Sequence, residues 1–535
     1  MRLKFFLLCA VAVTATAPSA ALLAQAGGST SAPTSAPEPA PAPESAPVPE
    51  PAPASTSTST SAPAPGQSGA VKAPQNVAAR GTDPRTEILT RERGLAKADA
   101  EAQLALTDKF EKEITALSGK FAGNYLTSII EYGKPLTITV VLDRDVELGE
   151  VRQSLSADLR QYIRIKRSRL SRQAIRDSKK ALIAQLSPHF EALTVSFDYP
   201  SDRFVAYLPD DADLERAKTL VDAELRPFVT VKKGAGRQLA GFATNADDPT
   251  ASDKTAVWGG WPIWVNTAPS CTGGFIGKDT LSKDFVMITA GHCSNTNARL
   301  RWPSDGTFKV LTDAMGEQWG GRYDMQVHWG AYLNSSGYFW VDNDVSGTYR
   351  YGCTLQGTNC KTGTFRNLYS GVASTGYVAV VDAVKGDSWS SWGYNDNHPI
   401  GVYRCKYGMV TGVSCGTITD PEVTTTVNGS DGDYQADDFV RITMSSSFQA
   451  SLARGDSGGP VFSISSTGST FPQAIAAGIN SAGNVKSTGV LRDYRPCVPA
   501  MDGECYLDYM PIDRINDAYP YAIASSLSTE PIDVN

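Results

Sequence analysis

Near the C-terminal end, Ala453-Arg454-Gly455-Asp456-Ser457-Gly458-Gly459-Pro460 sets a serine among glycines. A serine hydroxyl is a poor nucleophile at neutral pH, so it needs a base beside it and donors for the charge that develops. Glycines serve the second need, because backbone without Cβ atoms turns tightly and brings N–H groups close to a carbonyl. On that reading Ser457 is the nucleophile and the N–H groups of Gly455 and Ser457 are the donors. The same letters also suit an ordinary Gly-rich turn around a buried Asp456, so the base has to be sought elsewhere. Upstream, Phe285-Val286-Met287-Ile288 reads as a buried strand that delivers Thr289-Ala290-Gly291-His292-Cys293 to a turn. His292 is the candidate base.

T-A-G-H-C and G-D-S-G-G-P together resemble the chymotrypsin-like serine proteases. Cys405-Lys406-Tyr407-Gly408, followed by Thr411-Gly412-Val413-Ser414-Cys415-Gly416-Thr417-Ile418, is similar to the bacterial streptogrisin and α-lytic protease branch. The resemblance runs from about Val257 to the C-terminus. It implies an all-β fold of two six-stranded antiparallel barrels with the active site between them. It also implies a serine endopeptidase that acts on polypeptides through an acyl-enzyme, as a monomer and without a cofactor. Two other readings use the same residues: an inactive protease fold kept for binding, and an esterase.

A Ser-His pair needs a third group that holds the imidazole tautomer and stabilises its charge. The resemblance points to Asp324, in Gly321-Arg322-Tyr323-Asp324-Met325-Gln326-Val327, ahead of an alternating strand-like run. Asp313, Asp342 and Asp344 compete for the role, and His328 is a second histidine without the T-A-G-H-C context. Spacing alone does not bring His292, Asp324 and Ser457 together.

The branch pairs the aspartate matching Asp456 with a basic side chain just after the cysteine matching Cys405. That position is Lys406 here, where the family usually has Arg; Arg404 is the alternative partner. Ser451 and Leu452 match the pocket base. Ser481-Ala482-Gly483 resembles the strand that binds substrate backbone by β-addition, with Asn480 as a polar wall. None of these residues is a carboxylate, which disfavours Lys or Arg before the cleaved bond. The cysteine that often stands near the position of Ser451 is missing.

Of nine cysteines, Cys9 lies in an N-terminal apolar run and eight fall between Cys271 and Cys505. An even set in one region of an exported chain reads as disulfides. Proximity and the resemblance imply Cys271–Cys293, Cys353–Cys360, Cys405–Cys415 and Cys497–Cys505. No Cys-x-x-Cys pair occurs and the four histidines are scattered, so no metal is expected.

The remaining chain must present this site. Its 535 residues leave room for several domains, and a net charge of −7 argues against a nucleic-acid binder. Arg2 and Lys4 precede the apolar run Phe5 to Val13, and Ala24-Gln25-Ala26 offers a cleavage site, so residues 1–26 read as a secretory signal. A secreted protein without a membrane anchor is expected. Residues 27–81, rich in Ala, Pro, Ser and Thr, read as a disordered spacer.

Residues 82–235 read as an α+β region without cysteine, weakly similar to the pro-regions that precede this protease branch. Leu89 to Leu117 is predicted helical with a break at Gly94. Glu147 to Ile165 and Ser171 to Leu186 are predicted helices too, and Leu136 to Leu142 a strand. Leu193 to Phe197 and Arg203 to Leu208 form a predicted hairpin. Asp211 or Asp213 caps a helix to about Leu225, and Phe228 to Lys232 is a last strand. The basic run from Arg160 to Lys180 holds one aromatic, Tyr162, too few to stack on successive bases, and reads as a solvated face complementing an acidic neighbour. Residues 236–256 form the processing junction and 257–535 the protease region. The N-terminal region is expected to act as folding assistant and inhibitor, because an all-β double barrel depends on contacts distant in sequence.

Overall fold

The computed structural model describes residues 83–121, 123–143, 148–234, 238–239, 258–265, 268–294, 298–301, 307–311, 315–330, 333, 337–341, 344–351, 353–354, 358–368, 376–384, 398–427, 434–444, 450–465, 473–487, 494–515 and 521–523. The expected signal and spacer, residues 1–26 and 27–81, lie outside them.

In the N-terminal region, α1 (Pro84–Arg93) and α2 (Lys97–Lys120) are separated at Gly94, which adopts φ +62°. They are followed by β1 (Tyr125–Glu131), β2 (Thr137–Leu142), α3 (Leu148–Gln153) and β3 (Ile163–Arg167). Helix was predicted through Ile165, but Ile163 to Arg167 instead pair in parallel with Ile138 to Leu142. Sheet pairing overrides a helical composition here. Ser171 caps α4 (Arg172–Leu186), its hydroxyl accepting from Ala174 N. The hairpin is β4 (Ala192–Asp198) and β5 (Arg203–Leu208), turning at Asp202 with φ +52°. α5 (Asp211–Leu220) starts after Asp210, so neither Asp211 nor Asp213 is its cap, and it ends short of Leu225. β6 (Val229–Lys233) runs parallel to β5.

β7 (Gln238–Leu239) is the only stretch of the junction among the described residues. Short strands then follow in sequence: β8 (Pro262–Val265), β9 (Ala268–Thr272), β10 (Ile276–Asp279), β11 (Phe285–Thr289), β12 (Ala298–Arg301), β13 (Phe308–Val310), β14 (Met315–Gly320) and β15 (Tyr323–Trp329). Next come β16 (Tyr338–Val341), β17 (Asp344–Tyr351), β18 (Lys361–Leu368), β19 (Gly376–Ala383), β20 (Tyr403–Gly408), β21 (Gly412–Val427) and β22 (Tyr434–Met444). The chain closes with β23 (Pro460–Ser465), β24 (Gln473–Gly483), β25 (Lys486–Ser487), β26 (Tyr494–Arg495), α6 (Pro499–Asp502), β27 (Tyr506–Pro511) and β28 (Tyr521–Ile523).

The region is thus mostly β-sheet. The described residues form a five-stranded sheet β14-β15-β11-β10-β28, a four-stranded sheet β13-β12-β8-β9 and a twelve-stranded sheet. The largest sheet spans both regions, because β4 pairs with β21, setting Val195 opposite Thr424 and Ala192 opposite Val427. A buried apolar cluster likewise runs from Phe110 and Ile114 in α2 to Phe462 and Tyr509. Sheet hydrogen bonds and apolar burial therefore both tie the N-terminal region to the strands that carry the site.

Four disulfides join Cys271 to Cys293, Cys353 to Cys360, Cys405 to Cys415 and Cys497 to Cys505. Among the described residues no helix is long and apolar enough to cross a membrane.

Candidate active site

β11 is buried and its apolar run ends where Ala290-Gly291-His292 turns toward β15. Only glycine fits at Gly291, since a Cβ would stand 2.3 Å from Gln318 O and 2.8 Å from Met325 N. That close approach lets His292 N donate to Asp324 Oδ1 at 3.0 Å. His292 Nδ1 lies 2.9 Å from Asp324 Oδ2, and Nε2 lies 2.8 Å from Ser457 Oγ. A ring nitrogen facing a carboxylate carries the proton, so Nε2 is the acceptor for the serine hydroxyl. Ser481 Oγ also donates to Asp324 Oδ2, and the Asp324 side chain is fully buried.

Asp313 and Asp342 lie outside the described residues, and Asp344 opens β17. His328 sits in the core on β15, in register with Met287.

The loop bearing Ser457 bends at Gly455 (φ +99°) and Gly458 (φ +85°), a backbone region that favours glycine. It is held by a threonine the sequence analysis did not single out. Thr272 Oγ1 donates to Gly455 O at 2.8 Å, and Thr272 N donates to Ser457 O at 2.8 Å. Met409 N in turn donates to Thr272 Oγ1 at 3.0 Å. Among the described residues, neither Gly455 N–H nor Ser457 N–H has an acceptor. Both can thus donate beside the Ser457 hydroxyl.

Asp456 is buried below the loop. Its Oδ1 accepts from Val410 N at 2.9 Å and Thr411 N at 3.1 Å. Its Oδ2 accepts from Ala453 N at 2.9 Å, Thr411 Oγ1 at 2.5 Å and Lys406 Nζ at 3.2 Å. Burial pushes the Lys406 ammonium below its ordinary value while Asp456 pulls it back up. Thr411 supplies the extra bonds that a guanidinium fork would make, and its hydroxyl also takes a bond from Lys406. Arg404 is committed elsewhere: it donates to Ser463 Oγ, and its Nη2 donates to Glu111 Oε2 of α2 at 2.9 Å.

At the expected pocket, Ser451 and Leu452 are fully buried, as are Asn480, Ser481 and Ala482. Asn480, expected as a polar wall, uses its amide nitrogen differently, donating to Asp456 O at 3.2 Å and so bracing the nucleophile loop. Leu507, fully buried on β27, lies opposite Gly483. A Cβ built at Gly483 would stand 3.2 Å from both Leu452 Cδ2 and Leu507 Cα.

No protein-family profile matches the chain, and no curated protein does. Solved structures do resemble part of it. A crystal structure of Cellulomonas bogoriensis chymotrypsin is 21% identical, with a TM-score of 0.27, covering 50% of this chain and 99% of its own. A glutamic acid specific serine protease with a histidine triad in substrate binding is 21% identical, with a TM-score of 0.29, at 50% and 100% coverage. An α-lytic protease homolog is 15% identical, with a TM-score of 0.27, at 50% and 98% coverage. These neighbours are chymotrypsin-like and α-lytic serine proteases.

Proposed function

We propose that the chain is a secreted serine endopeptidase made as a proenzyme. The observation that carries this reading is the hydrogen-bonded line from buried Asp324 through His292 to Ser457, with contacts of 2.9 and 2.8 Å. Ser457 Oγ attacks the substrate carbonyl while His292 Nε2 takes its proton. Asp324 holds the tautomer and stabilises the imidazolium that forms. The N–H groups of Gly455 and Ser457 receive the developing oxyanion. His292 then passes its proton to the leaving amine, and water attacks the acyl-enzyme by the same route in reverse.

Residues 82–235 are the pro-region on this reading, folding assistant and inhibitor together. Support comes from the strand β4 that they add to β21 and from the two charged contacts they make with the C-terminal region. Export fits the four disulfides.

Ser457→Ala should lower hydrolysis of a peptide library by several orders of magnitude with the fold intact by circular dichroism. A folded variant that still cleaves peptides at the wild-type rate overturns the reading. A wild type that cleaves matched esters but no peptide makes it an esterase.

A further inference from the structure

The candidate base and nucleophile come from different sheets. His292 follows β11 and Asp324 lies on β15, both strands of the five-stranded sheet. Ser457 precedes β23, which belongs with β22, β24 and β27 to the twelve-stranded sheet. The two sheets must be held in place against each other for the contacts of 2.9 and 2.8 Å to form. A misplacement of about 1 Å at such a site can cost about 100-fold in rate.

The strand of Asp324 meets the other sheet at its very start. β14 turns into β15 through Gly320 (φ +107°) and Gly321 (φ +60°), and Gly321 forms a parallel bridge with Ala436 of β22. Gly321 N donates to Gln435 O at 2.8 Å, and Asp437 N donates to Gly321 O at 2.6 Å. A buried arginine closes this junction. Arg514, 2% exposed, follows β27, and its Nη1 donates to Arg322 O at 2.8 Å and to Asp437 O at 3.2 Å. Its Nη2 donates to Asp438 O. Asp438 holds φ +56°, a backbone state uncommon for a residue with a Cβ, and the guanidinium takes the carbonyl it presents.

One planar fork thus ties residue 322, two positions before Asp324, to residues 437 and 438 of the other sheet. An ammonium in its place would keep the charge but could not span the three carbonyls in a fixed plane. Four residues before Arg514, the sulfur of Met510 accepts from Asp324 N at 3.4 Å, so the same segment also backs the aspartate itself.

We propose that Arg514 is a positioning residue for the catalytic step, setting Asp324, and through it the His292 imidazole, against Ser457. It touches no reacting atom. The role rests on the proposed function and adds to it a residue outside every motif of the sequence.

The test is a double-mutant cycle of Arg514→Lys and Asp324→Asn, alone and together. The proteins are expressed as full chains and compared at the same processed length, checked by intact mass. Each is read as kcat and KM on one peptide and as the urea midpoint. Arg514→Lys should lower kcat by about 100-fold and change KM by less than about 2-fold, because the groups that bind substrate stay in place. In the Asp324→Asn background the same substitution should change kcat by less than about 2-fold, since the group it positions is already lost. An arginine that only supports the fold would cost as much in both backgrounds. Equal losses in the two backgrounds, or a wild-type kcat in folded Arg514→Lys, overturn the proposal. So does a chain that folds as neither Arg514→Lys nor Arg514→Gln. If Ser457→Ala is inactive on peptides while any of these is seen, the proposed function stands and the role of Arg514 falls.

Discussion

The region before β7 and the region after it hold their charges differently. The C-terminal region keeps its key charges inside itself: Lys406 with Asp456 and Arg441 with Asp508 are buried pairs, and four disulfides cross-link the strands around them. The N-terminal region has no cysteine among residues 82–235, and pairs such as Lys134–Asp99, Lys218–Glu215 and Lys233–Asp211 lie at its surface. Surface pairs of this kind contribute little. Two of its charges point across the boundary instead. Buried Lys179 donates to Glu422 O at 3.0 Å and Asp438 Oδ1 at 2.5 Å, and half-buried Glu111 accepts from Arg404. Tyr199 OH adds a bond to Glu422 Oε2 at 3.1 Å. Burial opposes the charge on Lys179, but Asp438 and Glu422 outweigh it and hold the ammonium above its ordinary value. Charges of both regions therefore meet at the boundary, Arg404 and Asp438 from one side and Glu111 and Lys179 from the other.

The largest effect expected from breaking this comparison is at Asp324, a fully buried charge of the C-terminal region. Asp324→Asn should keep the fold and lower peptide hydrolysis by roughly 10⁴-fold, because the imidazole loses its tautomer. Steady-state kinetics on one peptide checks this.

Next is the internal pair. Lys406→Met leaves Asp456 buried without its cation and should destabilise the folded chain by about 3–5 kcal/mol, read by urea denaturation. Adding Asp456→Asn should recover part of that loss.

Across the boundary the effect is smaller and selective. Lys179→Met should raise the dissociation constant of the processed N-terminal region by roughly 100-fold, while exposed Lys180→Met changes it less than about 2-fold. Equal effects at the two lysines would make the basic run an unspecific attraction, and its strength would then fall with salt.

The smallest effect is a pH slope at the same boundary. Burial pushes the Asp420 carboxyl up to about 6, against the pull of Glu422 N–H, Arg441 and Lys179. The folded chain thus holds a proton that the unfolded chain loses above its ordinary value of 3.8. This contribution is fully present below that value and is lost as pH rises through about 6, on the order of 2–3 kcal/mol in total. Asp420→Asn should flatten the change in melting temperature between pH 4 and pH 7.

Much of the N-terminal region was legible because its signals are local. Gly94 breaks a helical run, Ser171 caps one, and Asp202 turns a hairpin. The miss at Ile163 to Arg167 has a non-local cause, since those residues become a strand only by pairing with β2. The assignment of the basic run to a solvated face fails at Lys179 for the same kind of reason. A carboxylate from β22, Asp438, meets its helix at that one position.

By itself the sequence singled out the candidate serine and histidine. A serine among glycines and a histidine at the end of an apolar strand are short-range patterns, set by backbone conformation and strand periodicity. Cysteine proximity together with the family resemblance likewise implied the disulfides. Only the tertiary structure decided which groups meet. It set Asp324 against His292 and Lys406 rather than Arg404 against Asp456, turned Asn480 from the pocket to the loop, and laid β7 along β24. Each of these depends on hydrogen bonds between strands far apart in sequence. A bond made or missed there is a matter of an ångström of strand register, which no local pattern of residues encodes.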